Sequence, residues 1–437
     1  MRSVTSGWTR RTSSALVAAL LGLLLSMIAA GPTIVGPAGA VPVPTGAPPA
    51  FTTPLTDHCP HKTGTPPAVD ESEVVAPGST TPPPLPVPTP PIGGEDLGYC
   101  GVVADPAAGP VPPRLTSAGW LIADLDSGNV IAAKDPHGRY RPASTIKVLL
   151  ALIVLDELDL DATVVPTAED WSTEGDSCGM GPGGRYSVRD LLTGLLMVSG
   201  NDCANALARE LGGVETTLEK MNERARELGA ADTRAASPSG LDAAGMSSSP
   251  YDLALIYREA MAQETFRELI AKPTFRFPGY PRRPDVPGDK DHPAYDMYSS
   301  NRLLVDGYPG MLGGKTGYTD DARKTYVGAA ERDGRRILVV QMYGLSVEGD
   351  MYWDQAREMF EYGFRADPNI SVGRLVESFG EAVETTAPRA ASSADSHLAS
   401  TGSDAASPIS VRILIGLVAA LAAVVLLLVG LRLFGRR

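Results

Sequence analysis

Val148-Leu149-Leu150-Ala151-Leu152-Ile153-Val154-Leu155 is an unbroken run of apolar side chains. A helix that is apolar on every face must be surrounded by other elements. The run therefore predicts a central helix inside a sizeable domain. The turn that leads into it is Ser144-Thr145-Ile146-Lys147. Residues three apart share a helix face, so Lys147 stands one turn from Ser144. A serine hydroxyl is a weak nucleophile near neutral pH and needs a base beside it. A lysine shielded from water and set near other cations gives up its proton more easily. The start of the buried helix, opening into a cleft, would supply both conditions.

Ser-x-x-Lys alone is a weak signal, and with eight lysines in the chain a chance match is unsurprising. Here Ser199-Gly200-Asn201 and Lys315-Thr316-Gly317 follow it in that order. The ordered triple reads as a serine acyl-transfer site. Other copies of these motifs are separated by context. Ser127-Gly128-Asn129 lies between two strand-like runs and predicts a hairpin tip. Lys62-Thr63-Gly64 sits in a proline-rich tract with no strand to hold it. Ser299-Ser300-Asn301 has no helix pair around it.

Ser187-Val188-Arg189-Asp190 has capping-box spacing, so a helix is expected to start there. Gly200 interrupts it, and a second helix is expected from Asp202 to Leu211. Ser199 and Asn201 would then occupy a helix–helix corner; the alternative is a corner that only caps the second helix. Gly313-Gly314 precede Lys315, and residues 326–330 and 337–342 read as strands joined by Arg332-Asp333-Gly334-Arg335. A lysine and a hydroxyl on the strand at the mouth of the cleft suit a carboxylate. The alternative is an edge strand that uses lysine to resist pairing.

On these motifs the chain closely resembles the serine D-alanyl-D-alanine carboxypeptidases, the low-molecular-mass penicillin-binding proteins. The resemblance spans roughly residues 119–364. It extends to Ser237-Pro238-Ser239-Gly240-Leu241-Asp242-Ala243-Ala244-Gly245-Met246-Ser247, to Asp252-Leu253-Ala254, and to Gly314 through Thr319 around the third motif. It implies that Ser144 attacks the carbonyl of the penultimate D-alanine with Lys147 as general base. Ser199 would relay a proton to the leaving amine and Asn201 would hold the peptide amide. Lys315, Thr316 and Gly317 would bind substrate, Lys315 supporting the relay and Thr316 taking the terminal carboxylate. The backbone N–H groups of Ser144 and Tyr318 would form the oxyanion hole. Peptidoglycan stem peptides would be the substrate and β-lactams covalent inhibitors.

The same resemblance leaves rivals open. One is a DD-endopeptidase acting on peptide crosslinks. Another is a class A-like β-lactamase, which would carry a Glu-x-x-Leu-Asn segment. Glu215, Glu219, Glu223, Glu227, Glu259, Glu264 and Glu268 lie between the second and third motifs, and none begins it. A covalent drug sensor would need a domain inside the cell, and only six residues follow the last apolar span. His58, His61, His137, His292 and His397 all lie outside the motifs, so no metal or other cofactor is expected. The formal net charge of −13 argues against nucleic acid as a partner.

Arg2, Arg10 and Arg11 precede an apolar run at residues 15–25, and Ala38-Gly39-Ala40 offers a small-x-small cleavage site. Residues 1–40 thus read as a signal peptide. Residues 41–113 are proline-rich and are expected to be extended and poorly packed. The catalytic domain is placed at residues 114–366. An Ala/Ser/Thr-rich tether covers residues 367–410, with an r.m.s. reach of about 30–40 Å. Residues 413–431 are apolar residues and glycine only, about long enough to cross a bilayer, within a span placed at 411–432. Residues 433–437 would form a cytoplasmic tail. The expected location is outside the cytoplasm, anchored in the cell membrane by that C-terminal helix. Four cysteines in an exported chain suggest two disulfides among three possible pairings, and sequence proximity favours Cys59–Cys100 and Cys178–Cys203. Trp353, Ala356, Phe360 and Phe364 recur at helical spacing and predict a closing helix packed on the sheet as core. The expected fold is α+β, β-lactamase/transpeptidase-like: a mostly antiparallel sheet flanked by helices, with a helical subdomain holding Ser199.

Overall fold

The computed structural model describes residues 53–345, 351–378 and 380. The strands are β1 (Val102–Ala104), β2 (Ser117–Asp124), β3 (Asn129–Lys134), β4 (Thr163–Val164), β5 (Tyr186–Ser187), β6 (Thr274–Phe277), β7 (Tyr295–Tyr298), β8 (Met311–Thr319), β9 (Arg323–Arg332), β10 (Arg335–Gly344) and β11 (Gly373–Arg374). The main sheet runs β1-β3-β2-β10-β9-β8, with β11 added beside β3. All its registered pairings are antiparallel, as expected. Its hairpins follow from their turn residues. Gly128 takes positive φ between β2 and β3, and Asp124 Oδ1 accepts the Ser127 N–H and hydroxyl there. Ser127-Gly128-Asn129 is therefore a turn. Asp333 and Gly334 both have positive φ, the signature of a two-residue type I′ hairpin between β9 and β10.

Side chains alternate across the strands, and both faces of the sheet are covered. Leu121, Ala123, Leu338 and Val340 pack on one face with helices α1 (Lys147–Glu157) and α6 (Pro250–Ala262). Trp120, Ile122, Ile337 and Val339 pack on the other with α9 (Met351–Arg365). Every residue from Lys147 to Val154 is buried. The unbroken apolar run thus becomes the central helix. The remaining helices are α2 (Ala168–Trp171), α3 (Val188–Met197), α4 (Asn201–Glu210), α5 (Val214–Glu227), α7 (Glu264–Ile270) and α8 (Arg302–Val305). The Ser187–Asp190 capping box opens α3. The cysteines pair as Cys59–Cys100 and Cys178–Cys203, the arrangement that proximity favours.

Two boundaries differ from the sequence reading. Residues 53–113 are not poorly packed. Ile92, Leu97 and Cys100 are buried, β1 joins the sheet, and the segment runs over the body of the domain as a strap. Its backbone carbonyls meet buried cations, which offsets its shortage of apolar side chains. At the other end the fold does not stop at residue 366. Leu375 and Val376 are buried, and Tyr251 donates its hydroxyl to the Arg374 carbonyl at 2.7 Å. The apolar runs at residues 15–25 and 413–431, with the signal, span and tail boundaries and the end of the tether, lie outside the described residues. Among the described residues no helix is long and apolar enough to cross a membrane.

Candidate active site

The three motifs converge. Ser144 lies in a single 3-10 turn, Ala143–Ile146, that runs directly into α1 and sets Lys147 behind the hydroxyl. Ser199 takes φ of +66°, a left-handed conformation that a non-glycine residue adopts at some cost. That turn ends α3 and aims Ser199 at the start of α1. Lys147 Nζ lies 2.7 Å from Ser144 Oγ and 3.4 Å from Ser199 Oγ. It also lies 2.7 Å from Asn201 Oδ1 and 2.5 Å from the Ser239 carbonyl oxygen.

These distances dictate the proton inventory. Lys147 is wholly buried. Burial, then the nearby positive charge of Lys315, hold its pKa well below the usual lysine range. A neutral amine has two N–H donors and one lone pair. Asn201 Oδ1 and the Ser239 carbonyl can only accept, so they take the two donors. The lone pair is left facing Ser144, whose hydroxyl can donate. A base is thereby aligned on the nucleophile.

Lys315 is also buried, on β8 at the end of the sheet. A lysine with no exposed side chain cannot be guarding an edge against pairing. Its Nζ donates to the Thr316 carbonyl at 2.7 Å. Burial lowers its pKa to about 7, and the carboxylate of Asp176 opposes that fall. Gly317 is required by close approach. A Cβ there would stand 2.8 Å from the Ser144 nitrogen and would also collide with Thr325 Oγ1. Tyr318 follows, its side chain exposed and its backbone on the strand beside Ser144.

Asn201 does more than face the cleft. Its side-chain amide donates to the Glu174 carbonyl at 2.7 Å, and its backbone N–H to the Asp176 carbonyl at 2.7 Å. Asp202 accepts from the Cys178 N–H at 2.7 Å and from the Ser177 hydroxyl at 2.7 Å. With the Cys178–Cys203 disulfide, these bonds hold the loop before β5 over the second motif. A Cβ at Gly200 would collide with Cys178 Sγ, so the disulfide leaves room only for glycine there.

Several residues at the cleft were not singled out by their sequence. The Ser239 carbonyl is one. Ser300 is another: its Oγ is 2.9 Å from Thr316 Oγ1, although its own Ser-x-Asn motif looked isolated. Asp176 and Thr325 also line the cleft. Trp353 packs against the core as expected, half-buried beside the buried Tyr352, Ala356 and Phe360, and it also lines the cleft.

The structure also gathers His137, Asp232 and Asp252, which looked unconnected in sequence. Both ring nitrogens of His137 are engaged, Nδ1 with Asp232 Oδ2 and Nε2 with the Ile92 carbonyl, each at 2.9 Å. Cys178 and Cys203, which approach Asp202, are consumed by their disulfide.

Residues 107–345 match the family model of the D-alanyl-D-alanine carboxypeptidases. D-alanyl-D-alanine carboxypeptidase DacB2 of Mycobacterium tuberculosis is 49% identical over 272 residues, which cover 61% of this chain and 89% of that protein. DacF of Bacillus subtilis, also named a D-alanyl-D-alanine carboxypeptidase, is 30% identical over 250 residues, 56% of this chain and 61% of that relative's length. Among solved structures, a D-alanyl-D-alanine carboxypeptidase from Mycobacterium tuberculosis superimposes with a TM-score of 0.58 at 47% identity, over 62% of this chain and 100% of that one. A Streptomyces DD-transpeptidase superimposes with a TM-score of 0.53 at 26% identity, over 58% and 99%. The chain belongs to the D-alanyl-D-alanine carboxypeptidase family.

Proposed function

We infer that this protein is a serine-type D-alanyl-D-alanine carboxypeptidase that removes the terminal D-alanine of peptidoglycan stem pentapeptides. The observation that carries this reading is the buried Lys147 amine held 2.7 Å from Ser144 Oγ, with two further acceptors, Asn201 Oδ1 and the Ser239 carbonyl, on its other sides. Ser144 Oγ attacks the carbonyl carbon of the penultimate D-alanine as its proton passes to Lys147. The oxyanion forms against the N–H groups of Ser144 and Tyr318. The C–N bond then breaks, and Lys147 returns the proton to the leaving amine by way of Ser199. Water hydrolyses the ester and frees the shortened stem. Lys315 and Thr316 take the substrate's terminal carboxylate, and Gly317 lets that strand approach the nucleophile. Asn201 orients Lys147 and leaves one amide hydrogen for the peptide. β-Lactams would acylate the same serine and leave slowly, because no Glu-x-x-Leu-Asn segment supplies a second base.

Thr316→Val tests the carboxylate clamp, since it keeps shape and removes the hydroxyl. Losing a charge-assisted hydrogen bond costs about 1.5–3 kcal/mol. A drop of about ten- to a hundredfold in kcat/KM is therefore expected on a D-Ala-D-Ala peptide. Little change is expected on the same peptide with an amidated C-terminus, already a poor substrate. Equal cleavage of both peptides by the unsubstituted enzyme would favour the endopeptidase reading.

We further propose that the enzyme works outside the cytoplasm, anchored through residues 413–431. The length and apolarity of that run support this, as does the pairing of all four cysteines in disulfides. Deleting residues 413–437 should release active enzyme from membranes into the soluble fraction. Retention on the membrane would contradict this anchor.

A further inference from the structure

The strap that precedes the family match contacts both sides of the proposed oxyanion hole. Arg139 and Arg141 alternate along the segment that leads to Ser144, His137 sits in the turn just before it, and all three bind the strap. His137 pairs with the Ile92 carbonyl, and Arg139 donates to the carbonyls of Leu85 and Pro86 at 2.6 and 2.8 Å. Arg141, buried and three residues before Ser144, donates to the Pro66 carbonyl at 2.7 Å. It also donates through Nε and Nη2 to Glu73 Oε1 at 3.0 and 2.6 Å.

The second side is Asp321, three residues after Tyr318, its side chain wholly buried. Its Oδ1 accepts the Val69 N–H at 2.5 Å, and its Oδ2 accepts the Ser72 hydroxyl at 2.7 Å. Arg141 Nε lies 3.9 Å from Asp321 Oδ2, so the two sides share one buried charge network. Glu73 adds a third tie. Its Oε2 accepts the Gly245 N–H at 3.2 Å, on the loop that continues from the Ser239 carbonyl. Strap residues 66–73 thus grip the approach to Ser144, the turn after Tyr318 and the loop behind Lys147.

An oxyanion hole works only if its donors are held where charge develops, and a misplacement of about 1 Å can cost about 10²-fold. Here the two donors come from elements far apart in sequence. Inside the domain, Thr325 Oγ1 links β9 to the Pro142 carbonyl at 2.8 Å. The strap supplies a second tie from outside. We propose that Ser72 and Glu73 are positioning residues for acylation, fixing through Asp321 and Arg141 the spacing between the Tyr318 and Ser144 N–H groups. This rests on the reading of the site given above. It assigns a role in catalysis to a segment that lies before residues 107–345.

The test uses the full-length protein carrying Ser72→Ala and Glu73→Gln together. Acylation by a chromogenic cephalosporin is followed by stopped flow and normalised to titrated active sites, which separates the acylation rate constant from the dissociation constant of the encounter complex. The expected result is a fall of about tenfold in the rate constant, with the dissociation constant changed less than about twofold. A variant that is only less stable would have fewer active sites, each reacting at the normal rate. That result would overturn the proposal. If the double variant does not fold, Ser72→Ala is compared with Ser72→Thr, which keeps the hydroxyl. Slow acylation by the first and recovery by the second supports the proposal; equal rates overturn it. Absence of acylation in the unsubstituted enzyme would overturn the site reading itself, whereas normal acylation there with unchanged variants overturns only the role of the strap.

Discussion

Ser144→Ala is expected to reduce D-alanine release by at least about 10⁴-fold, the scale seen when a serine nucleophile is removed from an acyl-transfer site. Among the described residues, only Ser144 and Ser199 have hydroxyls within 3.5 Å of the Lys147 amine, and Ser144 is much the closer at 2.7 Å. Ser199 is 2% exposed and so is poorly placed to attack in its stead. Removing one hydroxyl from a half-buried site leaves the core untouched, so stability should change little. The check is the rate of D-alanine release from a stem pentapeptide, read beside a thermal melt. Residual activity within about tenfold of the unsubstituted enzyme would show that another group is the nucleophile.

Lys147→Arg is expected to lower kcat by about 10²–10⁴-fold, the usual contribution of a positioned general base. Arginine keeps the charge and can still donate to Asn201 Oδ1 and the Ser239 carbonyl, but it cannot be deprotonated in a protein. A purely structural role for Lys147 would tolerate the change better. The pH dependence follows from the same pair of lysines. At low pH Lys147 is protonated, its lone pair is lost, and kcat/KM falls. As pH rises through about 7, Lys315 loses its charge in the free enzyme and the substrate carboxylate loses its partner. The profile should be bell-shaped, with limbs belonging to the coupled pair. In Lys147→Arg the base-dependent rise on the acid side should disappear. An unchanged profile in that variant would remove Lys147 from the base role.

Much of this site was legible because its chemistry is carried by side chains at short spacings. Ser144 and Lys147 are one turn apart, Ser199 and Asn201 straddle a helix break, and Lys315 to Gly317 lie on one strand before a hairpin. The hairpin turns were legible for the same reason, since Gly128 and Asp333-Gly334 announce their backbone conformation. What escaped was carried by the backbone or by tertiary placement. The Ser239 carbonyl that orients Lys147 exists at every residue and leaves no mark in sequence. The strap docks through carbonyls of Pro66, Leu85, Pro86 and Ile92, so a proline-rich composition that suggested loose packing concealed an ordered path. The readable signal was on the other partner, in the alternation of His137, Arg139 and Arg141 just before Ser144. Trp353 obeys helical spacing and packs against the core, and it also lines the cleft. Periodicity gives the face of a helix but not which residues of that face also reach a site.

The most direct test of the central claim is to trap the intermediate. The protein is mixed with a synthetic stem pentapeptide, quenched in acid during turnover and digested for mass spectrometry, while free D-alanine is measured in the same quench. The account predicts one equivalent of D-alanine for each shortened stem and a tetrapeptidyl ester on the fragment containing Ser144. An ester on any other residue, or cleavage of crosslinked dimers with no D-alanine released from the pentapeptide, would contradict it.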